Sequence, residues 1–156
     1  MFILKGPHAF LLQVRKCPIE VAFYRTSIGK KWTLTIIRDL IFGSTKFSDF
    51  LKTNPELSSK VLAERLKELE GDGIIEKRIF STAPVTIEYH LTEKGIELNK
   101  VLYELSMFGA KYYPDEVLGE GFTYAEAVKV FGTSFLLDKD TLDFYSTPNV
   151  ENAIKP

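Results

Sequence analysis

The chain has 156 residues, of which 45% are hydrophobic and 26% are charged, and its formal net charge is −1. This length favours one globular domain with a small appendage, and no apolar run approaches the roughly 20 residues of a membrane-spanning helix. One cysteine, Cys17, excludes an internal disulfide. The apolar start is broken by Lys5, Gly6 and Pro7 and lacks the pattern of a signal peptide, so we predict a cytoplasmic protein.

Charge is unevenly distributed along the chain. Residues 1–113 contain 17 Lys and Arg against 13 Asp and Glu, whereas residues 114–156 contain 3 against 8. We therefore divide the chain into an N-terminal arm (1–16), a mildly basic body (17–113) and an acidic, aromatic-containing C-terminal extension (114–156). A body of such low charge is only a weak indication of a polyanionic partner.

Three helices are predicted at the start of the body. Pro18 is typical of a first helical turn, and the helix that it opens is expected to end near Gly29. A second helix is predicted over about 31–42, and a short third one over "KFSDFL" (46–51), before the turn-forming pair Asn54 and Pro55.

The stretch "LSSKVLAERLKELEGDGIIEKR" (57–78) predicts a fourth helix followed by a strand. Ser58 or Ser59 is expected to cap the helix, and Leu62, Leu66 and Leu69 recur at the spacing of a buried stripe. The residues expected on the opposite face are Lys60, Ala63, Glu64 and Lys67.

The remaining body predicts a β-hairpin and a long helix. "IIEKRIF" (74–80) and "VTIEYHL" (85–91) are typical of two strands joined by a short loop. Thr92 is expected to cap a helix that runs to Tyr113, and the broad apolar girth of this helix indicates contact with both the core and another subunit. In the extension, "YAEAVKVF" (124–131) predicts a short helix, and "SFLLDKDTLDFY" (134–145) a strand or another helix.

This order predicts an α+β, mainly α, winged helix-turn-helix with a long C-terminal dimerisation helix. Five strings, "CPIEVAF", "IGKKWTLTIIRDL", "KFSDFL", the stretch from residue 57 to 78 and "IEYHLTEKG", resemble the HxlR-type winged helix-turn-helix regulators over about residues 17–113. The resemblance implies a dimeric DNA-binding regulator, with the N-terminal and long C-terminal helices building the dimer. It also implies, as in some members, sensing of electrophiles or oxidants at Cys17. The chain departs from the family where an Arg commonly precedes the second wing strand, because Thr86 stands there.

We predict that the helix over about 58–70 enters the major groove and that the wing over about 75–91 lies on the DNA backbone. A solvated amphipathic helix is the alternative for the first segment, and Arg65 fits an ion pair or a phosphate contact better than base recognition. The candidate DNA-binding residues are Lys46, Ser58, Ser59, Lys60, Ala63, Glu64, Lys67, Lys77 and Arg78.

Cys17 has two interpretations. It lies next to Arg15 and Lys16 at a predicted helix N-terminus, an environment that favours the reactive thiolate. It could equally be a small hydrophobic residue packed at a dimer interface.

The chain has two histidines and lacks catalytic motifs and the spacings of metal ligands, so we expect neither an enzyme nor a metal or cofactor site.

The function predicted from these patterns is a homodimeric transcription regulator, more specifically a repressor, that binds a palindromic operator in double-stranded DNA. Its effector would be an oxidant or electrophile acting at Cys17, or a small hydrophobic ligand held between the long helix and the aromatic extension. The alternative is a winged-helix adaptor that binds a protein partner and no specific DNA, since a fold does not fix a function.

Overall fold

The computed structural model describes residues 17–80, 84–118 and 121–135. The predicted arm, residues 1–16, lies outside these ranges. The described elements are α1 (Pro18–Arg25), α2 (Thr33–Ile41), α3 (Phe47–Thr53), α4 (Ser59–Gly71), β1 (Ile75–Phe80), β2 (Thr86–Leu91), α5 (Glu93–Ile96), α6 (Asn99–Tyr112), α7 (Pro114–Val117) and α8 (Tyr124–Ser134). This order confirms the predicted winged helix-turn-helix. Within the described ranges, no helix combines the length and the apolar character that crossing a bilayer requires.

Helices α2, α3 and α4 enclose the core of the helix-turn-helix. Ile36 of α2, Phe50 of α3 and Leu62 of α4 are fully buried. Leu66 and Leu69 follow Leu62 at intervals of four and three residues, so all three leucines lie on one side of α4 and are buried, as predicted.

The first helix ends at Arg25 and not near Gly29, so the predicted boundary was wrong. The cause is a contact made by Ser27, whose backbone N–H and hydroxyl both donate to the carboxylate of Asp72 at 2.7 Å. To reach it the chain adopts an extended conformation at Thr26, with φ −140° and ψ 164°. Helix α1 itself buries none of its side chains in the protomer.

The two strands form the predicted antiparallel hairpin, with Ile75 opposite Leu91 and Phe80 opposite Thr86. The N–H of Tyr89 in β2 donates to the carbonyl of Thr45 at 2.8 Å, which ties the hairpin to the segment before α3. The base of the hairpin is therefore held against the core, where Ile75 is buried.

The prediction of one continuous helix from Thr92 to Tyr113 was wrong, because the structure has two helices there, α5 and α6. Thr92 caps α5 as expected, since its hydroxyl accepts a hydrogen bond from the Gly95 N–H at 3.2 Å. The Leu98 N–H then bonds to the Gly95 carbonyl, three residues back, at 3.1 Å. This tighter turn separates α5 from α6, because Gly95 is fixed against the carbonyl of Ile74 while α6 packs against α2.

The part of the extension that the structure describes packs against the body. Helix α8 matches the predicted helix over 124–131 and lies against α6. Ala127 and Val128 of α8 and the following Phe135 are buried. The predicted strand or helix over 134–145 lies outside the described residues from position 136 onward.

A substitution at Gly95 tests how closely α5 approaches the hairpin. A Cβ there would lie 2.2 Å from the Ile74 carbonyl oxygen and 2.9 Å from a Leu91 methyl group, whereas one at Gly71 would meet nothing within 4 Å. We expect Gly95→Ala to lower the free energy of unfolding by about 1–3 kcal/mol, measured by urea denaturation. Gly71→Ala, the matched control at the end of α4, should leave stability unchanged or raise it by up to about 1 kcal/mol. Equal stability of the two variants would contradict the packing described for α5.

Candidate DNA interface

The N-terminus of α4 is built to leave free donors at its surface. The hydroxyl of Ser58 accepts the Val61 N–H at 3.3 Å, which satisfies one of the first backbone donors of the helix. Helix geometry leaves the N–H groups of Ser59 and Lys60 without a helical acceptor. Both residues are exposed, and such N–H groups suit the oxygen atoms of a phosphate.

The face of α4 opposite the leucine stripe is exposed along its whole length. The structure places all four residues predicted for this face at the surface, namely Lys60, Ala63, Glu64 and Lys67. Their side chains offer two ammonium groups, one carboxylate and one methyl group. This set can donate to, accept from and pack against base edges in a major groove.

Glu68 forms ion pairs with Lys30 and Arg65, and these pairs hold both cations away from the outer face of α4. Lys30 Nζ lies 2.6 Å from the Glu68 carboxylate, and the guanidinium of Arg65 also contacts that carboxylate. Arg65 Nε donates to the carbonyl of Lys31 at 3.2 Å, and its side chain is only 13% exposed. The hydrogen bond from Lys30, aided by Arg65, lowers the pKa of Glu68 below its ordinary value. Arg65 thus forms an ion pair, which is one of the two roles predicted for it.

Lys46 stands exposed immediately before α3. Its backbone N–H donates to the carboxylate of Asp49 at 3.1 Å, which fixes the start of α3. The backbone of Lys46 is therefore held at a defined position in the segment that leads into α3, and the residue is exposed.

The hairpin places Lys77 and Arg78, two of the candidate DNA-binding residues, on opposite faces. Lys77 pairs with Tyr89 and Arg78 with Glu88 in the register of the strands, and neighbouring residues of a strand point to opposite faces. Arg78 Nε donates to Glu76 at 2.7 Å. One face of the wing thus carries Arg78 among carboxylates, and Lys77 lies on the other.

The sequence interpretation missed the carboxylates that hold these cations. Glu76 precedes Arg78 by two residues in a strand, which places both on one face. Glu68 follows Arg65 by three residues in a helix, a spacing that brings side chains together. Both spacings are visible in the sequence. The third missed pair, His90 with Glu88 at 3.1 Å, has the same two-residue spacing.

Cys17 occupies the position that precedes the first turn of α1. It is half-buried, and its carbonyl accepts the Val21 N–H at 3.0 Å. Arg15 and Lys16, which motivated the prediction of a reactive thiolate, lie outside the described residues. Across the ranges that the structure describes, no three His, Cys, Asp or Glu side chains form a group suited to a metal ion.

Glu68→Gln tests the ion pairs behind α4. Because the pKa of Glu68 is lower in the folded chain than its ordinary value of 4.5, its stabilising effect is complete above that value and is lost as the pH falls through the lowered pKa. We expect the variant to lose about 0.5–1 kcal/mol of unfolding free energy at pH 7, and the difference from wild type to shrink below about pH 4. Urea denaturation at several pH values measures this, with Glu70→Gln on the same helix as the control. A difference that is constant with pH would contradict the pairing.

Comparison with known proteins identifies the family to which this fold and sequence belong. The HxlR-like helix-turn-helix model matches residues 27–117, more than half of the chain. The HTH-type transcriptional regulator YodB of Bacillus subtilis (strain 168) is 40% identical over 97 residues, which cover 62% of this chain and 85% of YodB.

Two solved structures are similar in fold and sequence. The reduced form of YodB from B. subtilis has a TM-score of 0.55 and 39% identity, covering 64% of this chain and 97% of that one. The redox regulator HypR in its oxidised form has a TM-score of 0.55 and 31% identity, covering 60% and 94%. These relatives are regulators and not enzymes. The chain belongs to the HxlR-like helix-turn-helix family and is a DNA-binding transcription regulator.

Proposed function

We propose that the chain binds a palindromic operator as a homodimer and represses transcription, with α4 in the major groove and the hairpin along the flanking backbone. The observation that carries this proposal is the two-sided construction of α4. Its leucine stripe is buried while Lys60, Ala63, Glu64 and Lys67 are exposed on the other side. The major groove of B-DNA is wide enough to admit such a helix.

Each residue of this face has a chemical role in the proposal. Lys60 and Lys67 donate to guanine acceptors or to phosphates, and Glu64 accepts from the amino group of cytosine. The methyl group of Ala63 packs against that of thymine. The free N–H groups near Ser59 bind a phosphate, which sets the register of the helix on the duplex without selecting a sequence.

Exposed apolar side chains support the homodimer. In α1, Ile19 is 68% and Phe23 is 54% exposed, and in α6, Leu105 and Phe108 are 53% and 55% exposed. Large apolar side chains that remain uncovered in a protomer mark an interaction surface. In the proposed dimer a second copy covers them and places the two α4 helices about 34 Å apart, one turn of DNA.

One observation favours the second candidate, a protein-interaction adaptor. Arg78 of the wing is paired with Glu76, and Thr86 stands where the family commonly has an arginine. The wing therefore offers less free positive charge to a phosphate backbone than a typical wing, and DNA affinity must come mainly from α4.

Lys60→Ala and Lys67→Ala decide between the two candidates. We expect each change to weaken binding to the DNA upstream of the chain's own gene, measured by fluorescence anisotropy at several salt concentrations. A residue that reads a base should lose about 1–3 kcal/mol at one position of the site, and a phosphate contact should lower the salt slope by about 1. Lys129→Ala, on the exposed side of α8, is the control. Unchanged affinity in both α4 variants would remove α4 as the recognition surface and favour the adaptor.

We further propose that Cys17 makes DNA binding sensitive to oxidation. YodB and HypR have been solved in forms described as reduced and oxidised, and Cys17 begins the helix whose apolar side chains form the proposed dimer surface. Hydrogen peroxide should lower DNA affinity of the wild type, and a thiol reductant should restore it. Cys17→Ser should be unaffected, and the comparison is clean because the chain has one cysteine. Cys17 oxidised in the mass spectrum with unchanged affinity would refute this role.

A further inference from the structure

We propose that the cavity between α2, α6 and the residue after α8 binds a small single-ring carboxylate. The cavity is open to solvent on one side and has a volume of about 190 Å³. This lies below the roughly 300 Å³ at which drug-sized ligands fit, so one ring with a short substituent is the matching size. The side chains that line it include Leu34, Arg38, Leu102, Leu105, Ser106 and Phe135.

Arg38 provides the charge that selects a carboxylate. Its Nε and one terminal nitrogen donate to the same oxygen of Asp39, at 2.9 and 2.6 Å. That terminal nitrogen also lies 3.3 Å from the amide oxygen of Asn54. The other terminal nitrogen bonds to no acceptor among the residues that the structure describes. Arg38 lines the cavity, and a guanidinium with an unused donor favours a carboxylate through charge-assisted hydrogen bonds.

The neighbourhood of Arg38 also limits the charge of the ligand. The carboxylate of Asp39 is only 2% exposed and contacts the guanidinium. A dianion such as a phosphate ester would be repelled more strongly by this carboxylate than a monoanion would. The hydroxyl of Ser106 donates to the Leu102 carbonyl at 2.8 Å, so its hydrogen is already engaged and Arg38 supplies the donor for the carboxylate of the ligand. The rest of the lining named above is aliphatic or aromatic and suits a ring.

The position of the cavity gives its occupant a regulatory effect, and this part rests on the proposed function. Helix α2 belongs to the helix-turn-helix core, and Leu105 of α6 belongs to the proposed dimer surface. The third wall, Phe135, packs against Phe42 with ring centroids 5.4 Å apart and lies beyond the family match at residues 27–117. A ligand held between these walls alters the distance between the DNA-binding and dimer-forming helices.

The test is a titration of the full-length chain with sodium benzoate, followed through methyl and aromatic NMR signals, with benzamide as the neutral probe of the same shape. We expect saturable shifts and benzoate affinity at least about tenfold above that of benzamide, or roughly 1.4 kcal/mol. Ser106→Leu fills the cavity and should abolish binding. Thr133→Leu, an exposed position on α8, should retain it.

Several results would overturn the proposal. The absence of saturable shifts, equal affinities for the two probes, or unchanged binding in Ser106→Leu would each do so. Two further results would also do so: binding that appears only after residues 136–156 are deleted, and binding that falls as protein concentration rises. The last two would assign the cavity to the chain's own C-terminal segment or to a second copy. The titration contains no DNA, so it tests the ligand site independently of the proposed function. If the chain binds benzoate but does not bind its operator, the ligand site stands and the proposed function is refuted.

Discussion

The orientation of α4, the proposed recognition helix, depends on one buried carboxylate, that of Asp39. The side chain is 2% exposed and bonds to Arg38 and, at 2.6 Å, to the amide of Asn54. Asn54 also donates to the Phe50 carbonyl at 2.9 Å and so holds the end of α3. A buried charge without its partners would cost several kcal/mol, so α2 and the end of α3 have one relative position that satisfies it. Ser58, which begins α4, follows Asn54 by only four residues.

A second pair of carboxylates fixes the other end of α4. Glu68 holds Lys30 and Arg65, and Asp72 accepts both donors of Ser27 at 2.7 Å. The segment between α1 and α2 is thereby tied to the last turns of α4. Lys30, which lies beside α4, and Arg65 of α4 are therefore already paired with Glu68. The lysines of α4 that remain unpaired within the described residues, Lys60 and Lys67, lie on its outer face, which is the face proposed to bind DNA.

The parts of this arrangement that the sequence predicted are those set by local rules. The leucine stripe of α4, the cap at Ser58 and the alternation of the hairpin follow from the helical and strand periods alone. The errors lie where a distant residue decides. Helix α1 stops because Ser27 bonds to Asp72, 45 residues later, and the helix after Thr92 breaks because Gly95 lies on the carbonyl of Ile74. The cavity likewise needs Phe135 to meet α2, about 100 residues earlier in the chain, and no short-range pattern reports such a meeting.

Arg38 connects the cavity to the start of α4. Arg38, whose guanidinium pairs with Asp39, also lines the cavity, so a carboxylate bound by its remaining terminal nitrogen would place a second negative charge beside the buried network. Any movement of Arg38 reaches Asn54 directly, because the two side chains are bonded to the same carboxylate. Asn54 sets the turn from which α4 begins. An effector in this cavity would therefore act on the position of α4 through hydrogen bonds already present in the free protein, and it would need no large rearrangement of the fold to change how the helix meets DNA.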